Sequence, residues 1–270
     1  MVLTDIPLAD LSVRGHGPVV TVQVSRPDVL NAFRAQTRAE FASVLDAVRT
    51  DDHVRVVVLT GAGRAFSAGQ DLRELGGRLQ NEEASDDQLR QGIEELQDLT
   101  RALLALPQVT IAALNGVAVG LGAELALACD LRVAAESAAI GFPEARRAMF
   151  QTNGVMWLLP RIVGLSRAND LVLTGRLVQA AEAGRIGLVQ GVCPDADLAS
   201  TVEALAADIA ANAPGSLRLA KHLLRDTWGL DLAQVMTRET EGMLACLRSR
   251  DLREGTLAFL DGRTPHYEGR

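Results

Sequence analysis

The sequence predicts an α/β core followed by a helical C-terminal part, and three observations carry that prediction. Short apolar, β-leaning runs alternate with helical stretches through the first half. Glycine-rich joints separate them. Beyond Glu144 apolar residues recur every three or four positions almost to the end. A chain of 270 residues with 48% hydrophobic and 23% charged residues can bury a large core.

Taken in order, DLSVRGHGPVVTVQVSRP carries two short strands around Gly15-His16-Gly17-Pro18, a hairpin signal. Arg34 to Val48 has helical spacing through Phe41, Val44, Leu45 and Val48. Val54–Leu59 reads as a buried strand entering the loop GAGRAFSAGQDL, with a helix starting near Asp71. Residues 73–92 offer little apolar surface and read as disorder or a mobile lid. Leu96–Leu106 is helical, and Thr110–Leu114 is a strand meeting Asn115-Gly116. In the second half, helices are expected over Trp157–Ile162, Arg167–Leu173, Val202–Ala211, Leu217–Thr227, Ala233–Arg248 and Arg250–Leu260.

Chemistry concentrates in TIAALNGVAVGLGAELALACDLRVAAESAAIGFPE, residues 110–144. Gly116, Gly120 and Gly122 precede an apolar helix, whose first turn presents unpaired N–H groups and the positive end of its dipole. Such donors can hold a developing oxyanion. Glu124 has almost wholly apolar neighbours, so burial would disfavour its charged form. A second acid, Glu144, follows in GFPEAR at a proline-marked turn. Two carboxyl groups in apolar surroundings beside N–H donors suggest paired acid and base chemistry.

Other classes fall away. The net charge of −7 argues against a bulk nucleic-acid binder, and Lys221 is the only lysine. Gly61-Ala62-Gly63 lacks the spacing of a nucleotide-binding loop. Cys129, Cys193 and Cys246 are far apart and read as buried thiols, with no metal expected. The four histidines form no triad, and Ser67 has no base beside it. Asp71 reads as a helix N-cap, Asp130 as a structural acid, and Trp157 and Trp228 as core or interface packing. Asn115, Glu124 and Asp130 interrupt the apolar run 110–135, against a membrane span, and MVLTDIPLAD shows no signal-peptide pattern. A cytoplasmic protein is expected.

Several ordered blocks together make the chain resemble the enoyl-CoA hydratase/isomerase, or crotonase, superfamily. They are RPDVLNAF, VVVLTGAGRAFSAGQDL, NGVAVGLGAELALACDLRVA, GFPE, LPRIVG and SRDLREGTLAFLDGRTPHYEGR. The resemblance implies a spiral of ββα units forming an acyl-CoA-binding catalytic core over residues 1–195. It implies a helical oligomerisation region over 196–270, in a homotrimer or homohexamer. The oxyanion hole would be the backbone N–H groups of Gln70 and Leu121. Glu124 would deprotonate water and Glu144 would protonate C2 of a trans-2-enoyl-CoA. Val29, Leu30, Ala68, Leu72 and Gly120 would contact the substrate, Val29, Leu30, Ala68 and Leu72 on its CoA part. No cofactor is implied, since the coenzyme A belongs to the substrate.

Retention of both glutamates favours a hydratase over a delta isomerase or another acyl-CoA lyase of the superfamily, and over a non-catalytic CoA-binding protein. Three departures stand out from what the resemblance implies. Leu121 replaces a frequent glycine, Phe142 replaces a polar residue, and residues 148–154 replace a Pro- and Gly-rich loop on the acyl-facing wall.

Overall fold

The computed structural model describes residues 6–79 and 85–269. Strands β1 (Leu11–His16) and β2 (Val19–Val24) form the expected hairpin, with Leu11 opposite Val24 and His16 opposite Val19. Helix α1 (Ala35–Arg49) buries Phe41, Val44, Leu45 and Val48, the face that its spacing predicts.

A repeated unit follows. Each turn of the chain gives a strand to a large sheet, a short strand to a small one, and then a helical segment. The first pair is β3 (Val56–Gly61) and β4 (Ala65–Ser67), leading into α2 (Leu72–Leu79) and α3 (Asp86–Ala105). Next come β5 (Val109–Leu114), β6 (Val117–Val119) and α4 (Leu121–Ala128). The third unit is β7 (Leu131–Ala135), β8 (Ala139–Gly141) and a 3₁₀ turn over Glu144–Arg147, followed by α5 (Val155–Val163) and α6 (Leu165–Thr174). Then β9 (Leu177–Gln179), α7 (Ala180–Arg185) and β10 (Gly191–Cys193) close the two sheets.

The large sheet has the order β1-β2-β3-β5-β7-β10, parallel from β2 onward. The small sheet is β4-β6-β8-β9, with β4, β6 and β8 parallel and β9 antiparallel. This is the ββα spiral of the crotonase fold. Alternation along the strands divides the core. Val57, Leu59, Ala112 and Leu114 enter the main cluster with α1, α3 and α4. Val56, Val58, Ile111 and Ala113 face α8 (Leu198–Ala210), against Leu198, Val202, Ala206 and Ala210.

Helices α9 (Pro214–Asp226), α10 (Leu232–Leu247) and α11 (Arg250–Asp261) complete the chain, as the spacing predicts. Helix α10 has no buried residue, and Leu232, Met236 and Leu247 are exposed, as is Phe259 on α11.

Some expectations need correction. Residues 73–79 and 86–92 are helical. Ser85 caps α3 through a reciprocal pairing with Gln88, which gives this polar stretch a start signal that does not depend on apolar content. Residues 80–84 of the expected lid lie outside the described residues. The two tryptophans are not core residues: both are exposed, with the Arg161 guanidinium 4.0 Å from the Trp157 ring and 5.1 Å from that of Trp228. Among the cysteines, only Cys129 is fully buried.

Candidate active site

The three parallel strands of the small sheet build the site. They lie side by side, so the segments leaving their C-terminal ends converge. Gln70 follows β4, Leu121 follows β6, and Glu144 follows β8. The crevice beyond strand C-termini is where ligands bind in open α/β sheets.

Backbone pairing aims the two N–H groups. Phe33 donates to the Gly69 carbonyl (2.8 Å) and accepts from the Asp71 N–H (2.9 Å). In a parallel bridge of this kind the intervening residue, Gln70, directs its own N–H to the opposite side. Leu121 is the first residue of α4, with Gly120 at the cap, so its N–H lacks an intrahelical acceptor. Among the described residues no hydrogen bond uses either N–H. The two loops meet at Gly69, which has φ 87°. A Cβ there would stand 2.7 Å from the Val119 carbonyl oxygen and 3.1 Å from the Leu121 nitrogen, an approach that only glycine permits.

Glu124, in the first turn of α4, is 3% exposed. It accepts from Asn153 Nδ2 (2.6 Å) and from the Thr152 N–H (3.4 Å). Burial pushes its pKa up to about 7; the hydrogen bond from Asn153 opposes that, and the charge of Glu144 adds to it. Glu144 is also buried and accepts from Gln151 Nε2 (3.1 Å). Burial raises its pKa too, against hydrogen bonds from its own backbone and Gln151 and the charge of Arg147. Neither glutamate forms an ion pair among the described residues. Burial thus disfavours the charged form of both carboxyls, with Glu124 titrating near neutral pH.

Both face a cavity of about 490 Å³. Of the residues expected at the site, Ala68, Gln70, Leu72, Gly120, Leu121, Glu124 and Glu144 line it. Val29 and Leu30 do not, although the Leu30 carbonyl receives the Ala68 N–H at 2.8 Å. Segment 148–154 contributes Ala148, Met149, Phe150, Thr152 and Asn153 to the wall. Phe142, by contrast, is fully buried in the main core and leaves the contact with Glu144 to Gln151.

Gln151 and Asn153 are site residues that sequence reasoning misses. A signal exists one element away: Thr100 interrupts the apolar stripe Leu96, Leu99, Leu103 of α3 and is itself buried. It donates to Asn153 Oδ1 at 3.2 Å. The bland readings of other polar residues hold. Asp71 accepts from the Arg73 N–H and pairs with Arg26, and Ser67 bonds the Asn31 carbonyl and the Gly69 N–H. Among the described residues no cluster of His, Cys, Asp and Glu could hold a metal ion, and no helix is long and apolar enough to cross a membrane.

The comparisons agree with this geometry. The sequence profile described as enoyl-CoA hydratase/isomerase matches residues 14–270. The 1,2-epoxyphenylacetyl-CoA isomerase of Escherichia coli K12 is 36% identical over 255 residues, 93% of this chain and 95% of that one. The short-chain-enoyl-CoA hydratase of Clostridium acetobutylicum is 33% identical over 249 residues, 92% and 93% of the two chains. The crystal structure of an enoyl-CoA hydratase from Bacillus anthracis superposes with a TM-score of 0.92 at 36% identity, covering 97% of this chain and 100% of that one. Fold, strand-end site and sequence define a crotonase-type enzyme. The chain belongs to the enoyl-CoA hydratase/isomerase family.

Proposed function

We propose that the chain is an enoyl-CoA hydratase, adding one water syn across the double bond of a trans-2-enoyl-CoA to give a 3-hydroxyacyl-CoA. The observation that carries this reading is the pair of buried carboxyls, free of ion pairs, facing one cavity with the Gln70 and Leu121 N–H groups beside them. The thioester oxygen takes the two N–H groups, which bind the enolate more strongly than the ground-state carbonyl. Ionised Glu124 removes a proton from water as its oxygen bonds to C3. The electron pair of the double bond moves toward the thioester, and protonated Glu144 delivers its proton to C2. Proton transfer back from Glu124 to Glu144 restores the pair. This chemistry needs no metal or redox cofactor, and the coenzyme A enters as part of the substrate.

The reading extends to oligomeric state and setting. The exposed apolar residues of α10 and α11 support a homotrimer or homohexamer. A cytoplasmic role in acyl-CoA breakdown belongs to the same proposal. A second reading, an isomerase that moves one proton between carbons, draws on the similarity to the Escherichia coli isomerase.

The test is the fall in conjugated-enoyl absorbance of crotonyl-CoA for wild type, Glu124→Gln and Glu144→Gln. The hydratase reading expects wild-type turnover and a loss of roughly 10²–10⁴-fold in each variant. Loss in the Glu144 variant alone, with turnover of a 3-enoyl-CoA, establishes the isomerase. Coenzyme A binding without turnover of any enoyl-CoA establishes a non-catalytic binder.

A further inference from the structure

Residues Gln151, Thr152 and Asn153 bring one side-chain amide to each glutamate, and the two amides are held differently. Asn153 is 2% exposed and wedged between fixed partners. Thr100 of α3 donates its hydroxyl to Asn153 Oδ1 (3.2 Å), and Asn153 Nδ2 reaches Glu124 Oε2 (2.6 Å) and the Thr152 hydroxyl (3.1 Å). Gln97, one turn earlier on α3, holds the same segment through the Thr152 carbonyl (3.0 Å). Thr100 and Thr152 hold the Asn153 amide on two sides while Glu124 takes its N–H. The Thr152 backbone N–H (3.4 Å) adds a donor that cannot reverse, so the hydrogen bonds to Glu124 among the described residues all come from N–H groups. Gln151 is buried and gives Nε2 to Glu144 Oε2 (3.1 Å), but among the described residues nothing donates to its own Oε1. Its amide can turn over, donating to a carboxylate or accepting from a carboxylic acid.

We propose that Asn153, held by Thr100 and backed by the Thr152 N–H, is a positioning residue that keeps Glu124 in the ionised form of a base, while the turnable amide of Gln151 serves Glu144 in both its protonated and ionised forms. The inference rests on the two-glutamate reading above and adds what divides the roles between two chemically identical acids. A donor-only neighbour favours the carboxylate. A neighbour able to reverse accommodates an acid that loses and regains its proton each cycle. The division does not come from cations. The charged groups bearing on the two carboxyls are Glu144 on Glu124 and Arg147 on Glu144, and the residues that α3 brings to this wall, Ile93, Leu96, Gln97 and Thr100, are all neutral.

The experiment is an infrared pH titration of the ligand-free protein. It follows the protonated-carboxyl band of each glutamate, assigned by its disappearance in Glu124→Gln or Glu144→Gln. Asn153→Leu is expected to raise the Glu124 midpoint by about one pH unit, a tenfold loss of carboxylate at fixed pH. Thr100→Val is expected to shift it the same way by less, and Thr100→Ser to restore it. Gln151→Leu is expected to move Glu144 and leave Glu124 in place. An unmoved Glu124 midpoint in Asn153→Leu overturns the proposal. Should that variant fail to fold, an unmoved midpoint in the near-isosteric Thr100→Val overturns it instead. Because the titration uses no substrate, its outcome stands apart from crotonyl-CoA turnover by the wild type, which decides the hydratase reading separately. Where turnover exists, the acidic limb of kcat/KM follows the Glu124 midpoint in each variant; a uniform fall in rate with no shift of that limb assigns Asn153 a merely structural role.

Discussion

The two ends of α4 place a carboxylate in contrasting company. At the N-terminal end, Glu124 is buried with amide and backbone N–H groups around it and another carboxyl nearby. Just past the C-terminal end, Asp130 meets Lys221 Nζ (2.7 Å), Arg225 (2.7 Å) and the N–H and hydroxyl of Thr110. Arg132 completes that end by donating to the Ala126, Leu127 and Cys129 carbonyls, where a cation suits the helix dipole. One end answers its carboxylate with two cations and ties α9 to the large sheet. At the other end the charge is left without a counter-ion, which destabilises the fold and makes protonation adjustable. On the proposed reading, the difference separates structural acids from chemical ones more cleanly than burial does.

The sharpest way to break this comparison is to neutralise both acids. Glu124→Gln is expected to lower crotonyl-CoA hydration by roughly 10²–10⁴-fold while leaving the fold intact. Asp130→Asn is expected to do the converse. It strands the largely buried Lys221 ammonium and Arg225, at a cost of about 3 kcal/mol in urea unfolding. Its kcat, measured at a temperature where it remains folded, should stay within a few-fold of wild type. An Asp130 variant of normal stability and poor kcat would reverse the assignment.

Much of this contrast is legible in the sequence. Apolar neighbours mark Glu124, and GFPE marks Glu144. The ββα alternation follows from short apolar runs broken at Gly61-Ala62-Gly63 and Asn115-Gly116. The hydrogen-bonding company of each acid is not legible. Asn153 reaches Glu124 from 29 positions away and Lys221 reaches Asp130 from across the sheet, so only the fold brings them together. Residues 73–92 mislead for another reason: helix α3 draws its start from the Ser85 cap and its packing from Leu96, Leu99 and Leu103, so its polar first turns need no apolar face. Leu30 is tied to the cavity wall through the Ala68 N–H without lining the cavity itself, a relation that sequence spacing does not carry.

A pH dependence sharpens the comparison further. The Glu124 carboxyl has a pKa of about 7 when folded, against 4.5 as its ordinary value. Below about pH 4.5 it is protonated in both folded and unfolded chains and contributes nothing to the pH dependence. Between there and about pH 7 the folded chain holds more protons, so its stability falls as pH rises, by up to about 3 kcal/mol. Above that window the loss is complete and constant. Glu124→Gln removes this component, so its stability relative to wild type should grow from pH 4.5 to pH 7.5 in urea titrations. A difference that does not change with pH would mean that the carboxyl titrates at its ordinary value.

The smallest effect expected concerns the backbone between the two N–H groups. Gly69→Ala keeps every side chain at the site but forces alanine into φ 87°, with its Cβ 2.7 Å from the Val119 carbonyl oxygen. The conformational cost for an L-residue is about 1–2 kcal/mol. Relief of the contact must come from the backbone, because the nearest atoms are main-chain ones. Moving residues 69–70 away from 119–121 widens the gap between the Gln70 and Leu121 N–H groups. A group serving the transition state should then lower kcat by about tenfold, equivalent to about 1.4 kcal/mol, with little change in KM. The infrared midpoints of Glu124 and Glu144 should stay where they are, since neither carboxyl has moved. A fall in kcat with unmoved carboxyls would locate the loss in the proposed pair of N–H donors, whereas a shifted Glu124 midpoint would show that the first turn of α4 follows the loop.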